Sequence, residues 1–162
     1  MKLFIVRHAW AGEAGDPEYP DDRLRPLTAE GRARFREVVR ALAKRGMAPS
    51  IIATSPLVRC RQTAEIIVEV LGGGIPLVEL PALAPESDLK ALVTWTQRQQ
   101  AEAVAWVGHA PDVGLLAAEM IGDCSADIRF AKGTIACIDF PGGCARAAGQ
   151  LVWLATAKSL GL

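Results

Sequence analysis

The sequence predicts an α/β fold, a three-layer α/β/α sandwich with a mostly parallel central sheet. Three observations indicate it. Short apolar runs, beginning with residues 3–6, have the length and the β-branched and aromatic content of strands buried on both faces. Longer segments between these runs repeat apolar residues at the three- and four-residue spacing of a helix that buries one face. The two kinds of segment alternate along the chain, which favours parallel strands joined by helices.

Local signals place the first two helices. Thr28 has the side chain of an N-cap, and Gly46 is a suitable end for the helix that follows it. Ser55-Pro56 is typical of a second helix start, with serine as the N-cap and proline in the first turn. This helix is expected to run to Leu71, before three consecutive glycines.

The rest of the chain continues the alternation. Asp88 opens a third helix and Pro111-Asp112 a fourth. The last two apolar runs flank a Pro-Gly-Gly turn region and predict an antiparallel pair at the sheet edge. After the first, the predicted strands are 51–53, 76–80, 103–107, 134–140 and 150–157.

Composition limits the class of protein. The 162 residues favour one domain spanning 1–162, with 51% apolar and 22% charged residues, an ordinary globular balance. The formal net charge is zero, so the chain as a whole is not a polyanion binder and we expect no nucleic-acid partner. No apolar run approaches the roughly 18 residues needed to cross a membrane, and no signal peptide is visible. We expect a cytoplasmic protein.

The sequence offers no pattern typical of a metal site. The four cysteines form no Cys-x-x-Cys pair, and there are only two histidines. Carboxylates are frequent in the loop 11–26, but their spacing does not match a calcium loop, so a solvated acidic loop is favoured. We expect no metal and no cofactor, although a metal-dependent hydrolase using this loop remains an alternative.

Both histidines leave the ends of predicted strands. Arg7-His8 directly follows the first apolar run, and Gly108-His109 follows the run 103–107. In open α/β sheets, ligands bind in the crevice outside the carboxyl ends of the strands. If the two strands are parallel neighbours, His8 and His109 meet at that edge.

The second helix is expected to add a phosphate-binding group. Residues three and four apart share a helix face, so Ser55, Arg59, Gln62 and Thr63 lie together. Arg59 lies one turn from the helix start, where free backbone N–H groups and the helix dipole favour an anion.

The chemistry of these groups indicates phosphoryl transfer. Guanidinium groups match phosphate oxygens, and a neutral imidazole is a good nucleophile near pH 7. Cations around a phosphoryl group stabilise the transition state without a metal. We therefore predict metal-independent transfer onto a histidine and then onto water. The predicted site consists of Arg7, His8, Arg59 and His109, with Arg25 and Ser55 as substrate-binding candidates.

Four segments resemble the histidine phosphatase superfamily, which has the phosphoglycerate mutase-like fold. They are FIVRHA (4–9), RPLTAEG (25–31), ATSPLVRCRQTAEI (53–66) and VGHAPDV (107–113). Within the superfamily the chain is most similar to the small SixA-type phosphohistidine phosphatases. The resemblance implies His8 as the phosphorylated nucleophile, with Arg7, Arg59 and His109 as the phosphate pocket. Arg25 is implied as a weaker candidate for substrate contact.

The resemblance is incomplete at the general acid. Many members carry a glutamate shortly after the third strand, where this chain has Ala82. Glu86 or Asp88 are the substitutes the sequence offers, each with an equally good interpretation as a loop or helix-capping carboxylate. A phosphohistidine substrate leaves as an imidazole that protonates readily near neutral pH, so the loss is tolerable for that substrate.

Chain length bears on the substrate. The segment between the second strand and His109 has no room for the long insertion that covers the site in acid phosphatases and mutases. A shallow pocket favours a phosphorylated protein side chain, so the leading hypothesis is a protein phosphohistidine phosphatase acting on a phosphotransfer domain. The alternatives are a small-metabolite phosphatase or mutase acting on a small phosphate ester, and a non-catalytic phosphate-binding module.

Overall fold

The computed structural model describes all residues, 1–162, and contains one six-stranded sheet. In chain order, the strands β1 to β6 are Lys2–Arg7, Ile51–Thr54, Leu77–Glu79, Ala103–Gly108, Ile135–Asp139 and Gln150–Ala155. They follow the order β3-β2-β4-β1-β5-β6 across the sheet. β1 to β4 are mutually parallel, and β5 runs antiparallel to both β1 and β6. The predicted edge pair is confirmed.

Helices cover both faces of the sheet, as the three-layer prediction requires. α1 (Ala29–Ala43) and α2 (Val58–Val70) lie on one face. α3 (Leu89–Gln99) and α4 (Asp112–Ile121) lie on the other. None of these helices is long and apolar enough to cross a membrane.

The side chains of β1 alternate between the two cores. Phe4 and Val6 pack against α1 and α2, whereas Leu3 and Ile5 pack on the face that α3 and α4 cover. This two-residue period is the geometry of a strand, and it explains why the run is apolar without interruption. The central strand is thereby fixed from both sides, which gives the residues at its carboxyl end a rigid base.

The helix starts agree with the sequence at Thr28, at Asp88 and at Pro111-Asp112, where α4 begins, and they disagree at Ser55. The Thr28 hydroxyl accepts from Gly31 N–H at 3.0 Å, and the Asp88 carboxylate accepts from Ala91 N–H at 3.0 Å, so both act as N-caps. The prediction of Ser55 as the N-cap of α2 is wrong, because the helix begins at Val58 and Leu57 precedes it without a side-chain cap. The Ser55 hydroxyl is turned instead toward a histidine in the site described below.

Candidate active site

The register of β1 and β4 brings the two histidines together. Arg7 pairs with Gly108 at the carboxyl ends of these strands, so the next residue of each leaves the sheet beside the other. The ring centroids of His8 and His109 are 5.4 Å apart in an edge-on arrangement, and both side chains are buried. The predicted meeting of the two imidazoles is present in the fold.

His8 is held in one tautomer. Its Nδ1 lies 2.8 Å from the Ala9 carbonyl oxygen, which only accepts hydrogen bonds, so Nδ1 carries the proton. Nε2 is then left with a lone pair. The pKa of His8 is lowered to about 3, chiefly by burial and also by the nearby His109, Arg59 and Arg7, against the opposing effect of the Ala9 bond. His8 is therefore neutral near pH 7, the state that a nucleophile needs.

α2 fixes the backbone that carries His8. The Ala9 N–H donates to the Thr63 hydroxyl at 3.0 Å, and that hydroxyl donates to the Arg59 carbonyl at 2.7 Å. On the same helix, the Gln62 side-chain oxygen accepts from Leu27 N–H at 2.8 Å. Thr63 and Gln62, on the predicted shared face of α2, thus connect this helix to the end of β1 and to the loop before α1.

Arg7 and Arg59 use only some of their N–H donors in hydrogen bonds within the protein. Arg7 Nη1 donates to the Phe130 carbonyl at 2.7 Å, and Arg59 Nη1 donates to the Asp22 carbonyl at 2.8 Å. The Nε atoms of both Arg7 and Arg59 are buried without a hydrogen-bond partner. Such orphaned donors are costly in a folded protein. Both guanidinium groups line the adjacent cavity, where their other N–H groups can bind an anion.

The acidic loop closes one side of this cavity. Arg25 Nε donates to the Asp22 carboxylate at 2.8 Å, and Arg25 Nη1 donates to the Gly12 carbonyl. Asp22 also lies 3.0 Å from Arg59, and the hydrogen bond from Arg25 is the main cause that lowers its pKa. The cavity measures about 550 Å³, and Arg7, His8, Arg25, Arg59, His109 and Lys132 line it.

His109 is supported from behind by Ser55 and Cys60. Its Nε2 lies 2.8 Å from the Ser55 hydroxyl and 3.3 Å from the Cys60 sulfur. Burial lowers the pKa of His109 to about 4, with a further contribution from Arg59, and burial raises the pKa of the Cys60 thiol to about 12. Ser55 is completely buried and does not line the cavity, so its expected role in direct substrate binding is corrected to a contact with His109.

The two candidate general acids lie outside the cavity. Glu86 is exposed, with a left-handed φ of 69°, and lines a separate depression beside α4. The Asp88 carboxylate caps α3. Neither lines the cavity that contains His8, so the expectation that one of them replaces the missing glutamate is not supported by their positions.

Sequence reasoning missed three charged residues of the cavity, Glu13, Asp112 and Lys132. The Asp112 carboxylate accepts from the N–H and the hydroxyl of Ser87, at 3.1 and 3.2 Å, which ties the segment after β3 to α4. The position of Asp112, three residues after His109, was the feature of the sequence that could have identified it as a cavity residue. Lys132 precedes an antiparallel strand, which begins at the edge where β1 ends. No group of three or more His, Cys, Asp or Glu side chains is arranged to hold a metal ion.

Fold and site together define a class of protein. An α/β sandwich that gathers buried arginines around a neutral imidazole, at the carboxyl ends of its parallel strands, is suited to hold a phosphoryl group there. A family model, that of the histidine phosphatase superfamily (branch 1), matches residues 3–126. The chain belongs to the histidine phosphatase superfamily, and it is a SixA-like phosphatase.

Known relatives support this assignment. An uncharacterized protein of Picosynechococcus sp. is 40% identical over 117 residues, or 70% of this chain and 69% of the relative. Phosphohistidine phosphatase SixA of Escherichia coli K12 is 32% identical over 123 residues, or 74% of each chain. The structure of the protein histidine phosphatase SixA complexed with tungstate has a TM-score of 0.85 at 26% identity, covering 99% of each chain. The phosphoglycerate mutase-like fold is therefore confirmed.

Proposed function

We propose that the protein hydrolyses phosphohistidine on a protein through a phosphohistidine intermediate on its own His8, without a metal ion. The observation that carries the proposal is the state of His8. The ring is buried and neutral, its Nδ1 proton is bound to the Ala9 carbonyl, and its Nε2 lone pair is free. The guanidinium groups of Arg7 and Arg59, which line the same cavity, supply the complementary anion donors.

In the first step, Nε2 of His8 attacks the phosphorus atom, the bond from phosphorus to the substrate breaks, and the leaving group takes the bonding electron pair. Arg7, Arg59 and Arg25 stabilise the charge on the three non-bridging oxygens. In the second step, water attacks the phosphorus atom of phosphohistidine. The N–P bond breaks, inorganic phosphate leaves, and His8 returns to its starting state.

The position of the carboxylates supports a phosphohistidine substrate. Ala82 stands where many family members carry the glutamate, and Glu86 and Asp88 lie outside the cavity. An imidazole leaving group accepts a proton readily near neutral pH, whereas an alkoxide needs an acid. The chain is therefore better equipped for an N–P bond than for an ordinary phosphate ester.

The openness of the site supports a protein as substrate. Exposed residues of three separate segments, among them Glu13, Pro85 and Lys132, form the rim of the cavity. A histidine side chain on the surface of a phosphotransfer domain can enter such a cavity without a lid having to open.

The proposal includes the cytoplasmic location expected from the sequence. All four cysteines are free, which fits a reducing compartment. Cell fractionation followed by immunodetection tests this part of the proposal.

The direct test is dephosphorylation of a radiolabelled phosphohistidine protein in the presence of EDTA. The wild type should release inorganic phosphate, and His8→Asn should not. Asp88→Ala, altered at a carboxylate outside the cavity, is the matched control and should remain active. Turnover of small phosphate esters with no action on the phosphohistidine protein would instead favour a small-metabolite phosphatase. Binding of phosphate without any turnover would favour a binding module.

A further inference from the structure

The two buried imidazoles are oriented differently toward the cavity. His8 keeps Nε2 free, and its Nδ1 is bound to the Ala9 carbonyl. In His109 it is Nε2 that is occupied, at 2.8 Å from the Ser55 hydroxyl. Nδ1 has only a weak contact with the Cys60 sulfur, at 3.8 Å, so it is the nitrogen of His109 that remains for a ligand, and His109 lines the cavity.

The other hydrogen-bond partners of Ser55 determine which group donates in its bond with His109. The Leu57 N–H points at the Ser55 oxygen from 3.3 Å, so the oxygen already accepts one bond. Ser55 is completely buried, and a buried hydroxyl proton needs an acceptor. His109 Nε2 is the strong acceptor within reach, because the sulfur of neighbouring Cys60 accepts only weakly.

The Cys60 thiol has a different partner for its proton. Its sulfur lies 3.5 Å from the Gly108 carbonyl, which only accepts, so the S–H donates there. The raised pKa of this thiol keeps it protonated. Cys60 therefore packs beside the imidazole of His109 without setting its proton.

We propose that the Ser55 hydroxyl donates to Nε2 of His109 and thereby holds this imidazole in the tautomer that carries its proton on Nδ1. His109 then presents an N–H donor, and no lone pair, to the phosphoryl group. Donation from His109 to a phosphoryl group rests on the proposed function, whereas the tautomer of His109 does not.

The assignment explains why only one of two neighbouring imidazoles acts as the nucleophile. Both are neutral near pH 7, because burial lowers the pKa of each. His8 directs a lone pair at the substrate, and His109 directs a hydrogen. Since His109 carries no charge, its contribution to the transition state is this single hydrogen bond. Ser55 is thus a positioning residue that acts through His109.

The test reads the tautomer of His109 from the ¹⁵N chemical shifts of its ring, in the protein without substrate. The wild type should show a protonated Nδ1 and an unprotonated, hydrogen-bonded Nε2. In Ser55→Ala the hydroxyl donor is gone, so a mixture of tautomers is expected. Cys60→Ala, which removes the other group near Nε2, is the matched control and should keep the wild-type spectrum.

Kinetics give a second reading. Ser55→Ala should lower kcat by about tenfold to a hundredfold with little change in KM, somewhat less than the loss of a whole transition-state donor. Ser55→Thr keeps the hydroxyl and should restore both the spectrum and most of kcat. A wild-type His109 protonated on Nε2, or an unchanged tautomer in Ser55→Ala, would overturn the inference. Because the spectrum is recorded without substrate, it tests the tautomer of His109 even if the proposed function is wrong.

Discussion

The Asp22 carboxylate lies 3.0 Å from Nη1 of Arg59 and 2.8 Å from Nε of Arg25, so it holds two arginines of the cavity at once. A second bond, from Arg59 to the Asp22 carbonyl at 2.8 Å, adds a backbone contact. The acidic loop thus has a structural part in the site, through ion pairs with arginines that line the cavity.

Asp22→Ala should weaken catalysis. Arg59 and Arg25 would lose the partner that fixes their side chains, and ordering them around the substrate would then cost conformational entropy. We expect kcat/KM to fall by about tenfold, equivalent to about 1.4 kcal/mol. Steady-state kinetics measure this, with Asp21→Ala as control, because Asp21 pairs with the exposed Arg23 outside the cavity. Equal losses in both variants would contradict the role assigned to Asp22.

Acid should destabilise the protein through its histidines. The folded-state pKa of His8 is about 3 and that of His109 about 4, against 6.5 for an ordinary histidine. Below pH 6.5 the unfolded chain therefore binds protons that the folded chain does not. The free energy of unfolding that the two neutral histidines contribute above pH 6.5 is therefore lost as the pH falls toward 4. Between pH 7 and 5 each histidine should remove about 2 kcal/mol from the free energy of unfolding.

Urea unfolding at the two pH values measures this loss. His8→Asn, which lacks the titrating group, should lose less stability than the wild type over the same interval. A pH dependence that is identical in the two proteins would mean that His8 titrates normally in the folded state.

Glu86 and Asp88, the two carboxylates first considered as general acids, should not be needed for turnover, and only Asp88 should contribute to stability. Glu86→Gln changes an exposed side chain and should leave turnover and stability unchanged. Asp88→Ala removes the N-cap of α3 and should cost about 1 kcal/mol of stability with turnover kept within about twofold. Thermal unfolding and turnover of phosphohistidine protein measure both. A large loss of kcat in either variant would reinstate that carboxylate as an acid.

Gly31 should tolerate no side chain. A Cβ added there would lie 2.3 Å from the Trp10 carbonyl oxygen and 2.8 Å from the Trp10 Cβ, so the first turn of α1 would have to shift. We expect Gly31→Ala to lose about 2 kcal/mol in unfolding free energy. At Gly142 a Cβ would meet nothing within 4 Å, so Gly142→Ala is the matched control. Equal stability of the two variants would show that the close approach is absent.

The sequence was sufficient to predict the fold and the meeting of His8 and His109. Strand patterns placed His8 and His109 at strand ends, and the ends of parallel strands meet because the sheet register aligns them. Local caps were equally readable at Thr28 and Asp88, since a cap depends on neighbours three residues away.

Contacts between distant segments were not predictable in the same way. The Ser55 hydroxyl has a local alternative as a helix cap, and only the packing of β2 beside β4 brings it to His109 instead. Asp22 contacts Arg59, and Lys132 lines the cavity, from segments whose path depends on the whole fold. Propensity and spacing carry no information about such paths.

The central claim is that His8 is the nucleophile, and an early-quenched reaction followed by mass spectrometry tests it most directly. The protein is mixed with a phosphohistidine-carrying protein in EDTA, quenched under conditions that preserve acid-labile phosphate, and digested. The account predicts phosphate on the peptide that contains His8, and none in His8→Asn. Phosphate release by the wild type with no trapped phosphoenzyme, or a label on the peptide that contains His109, would contradict it.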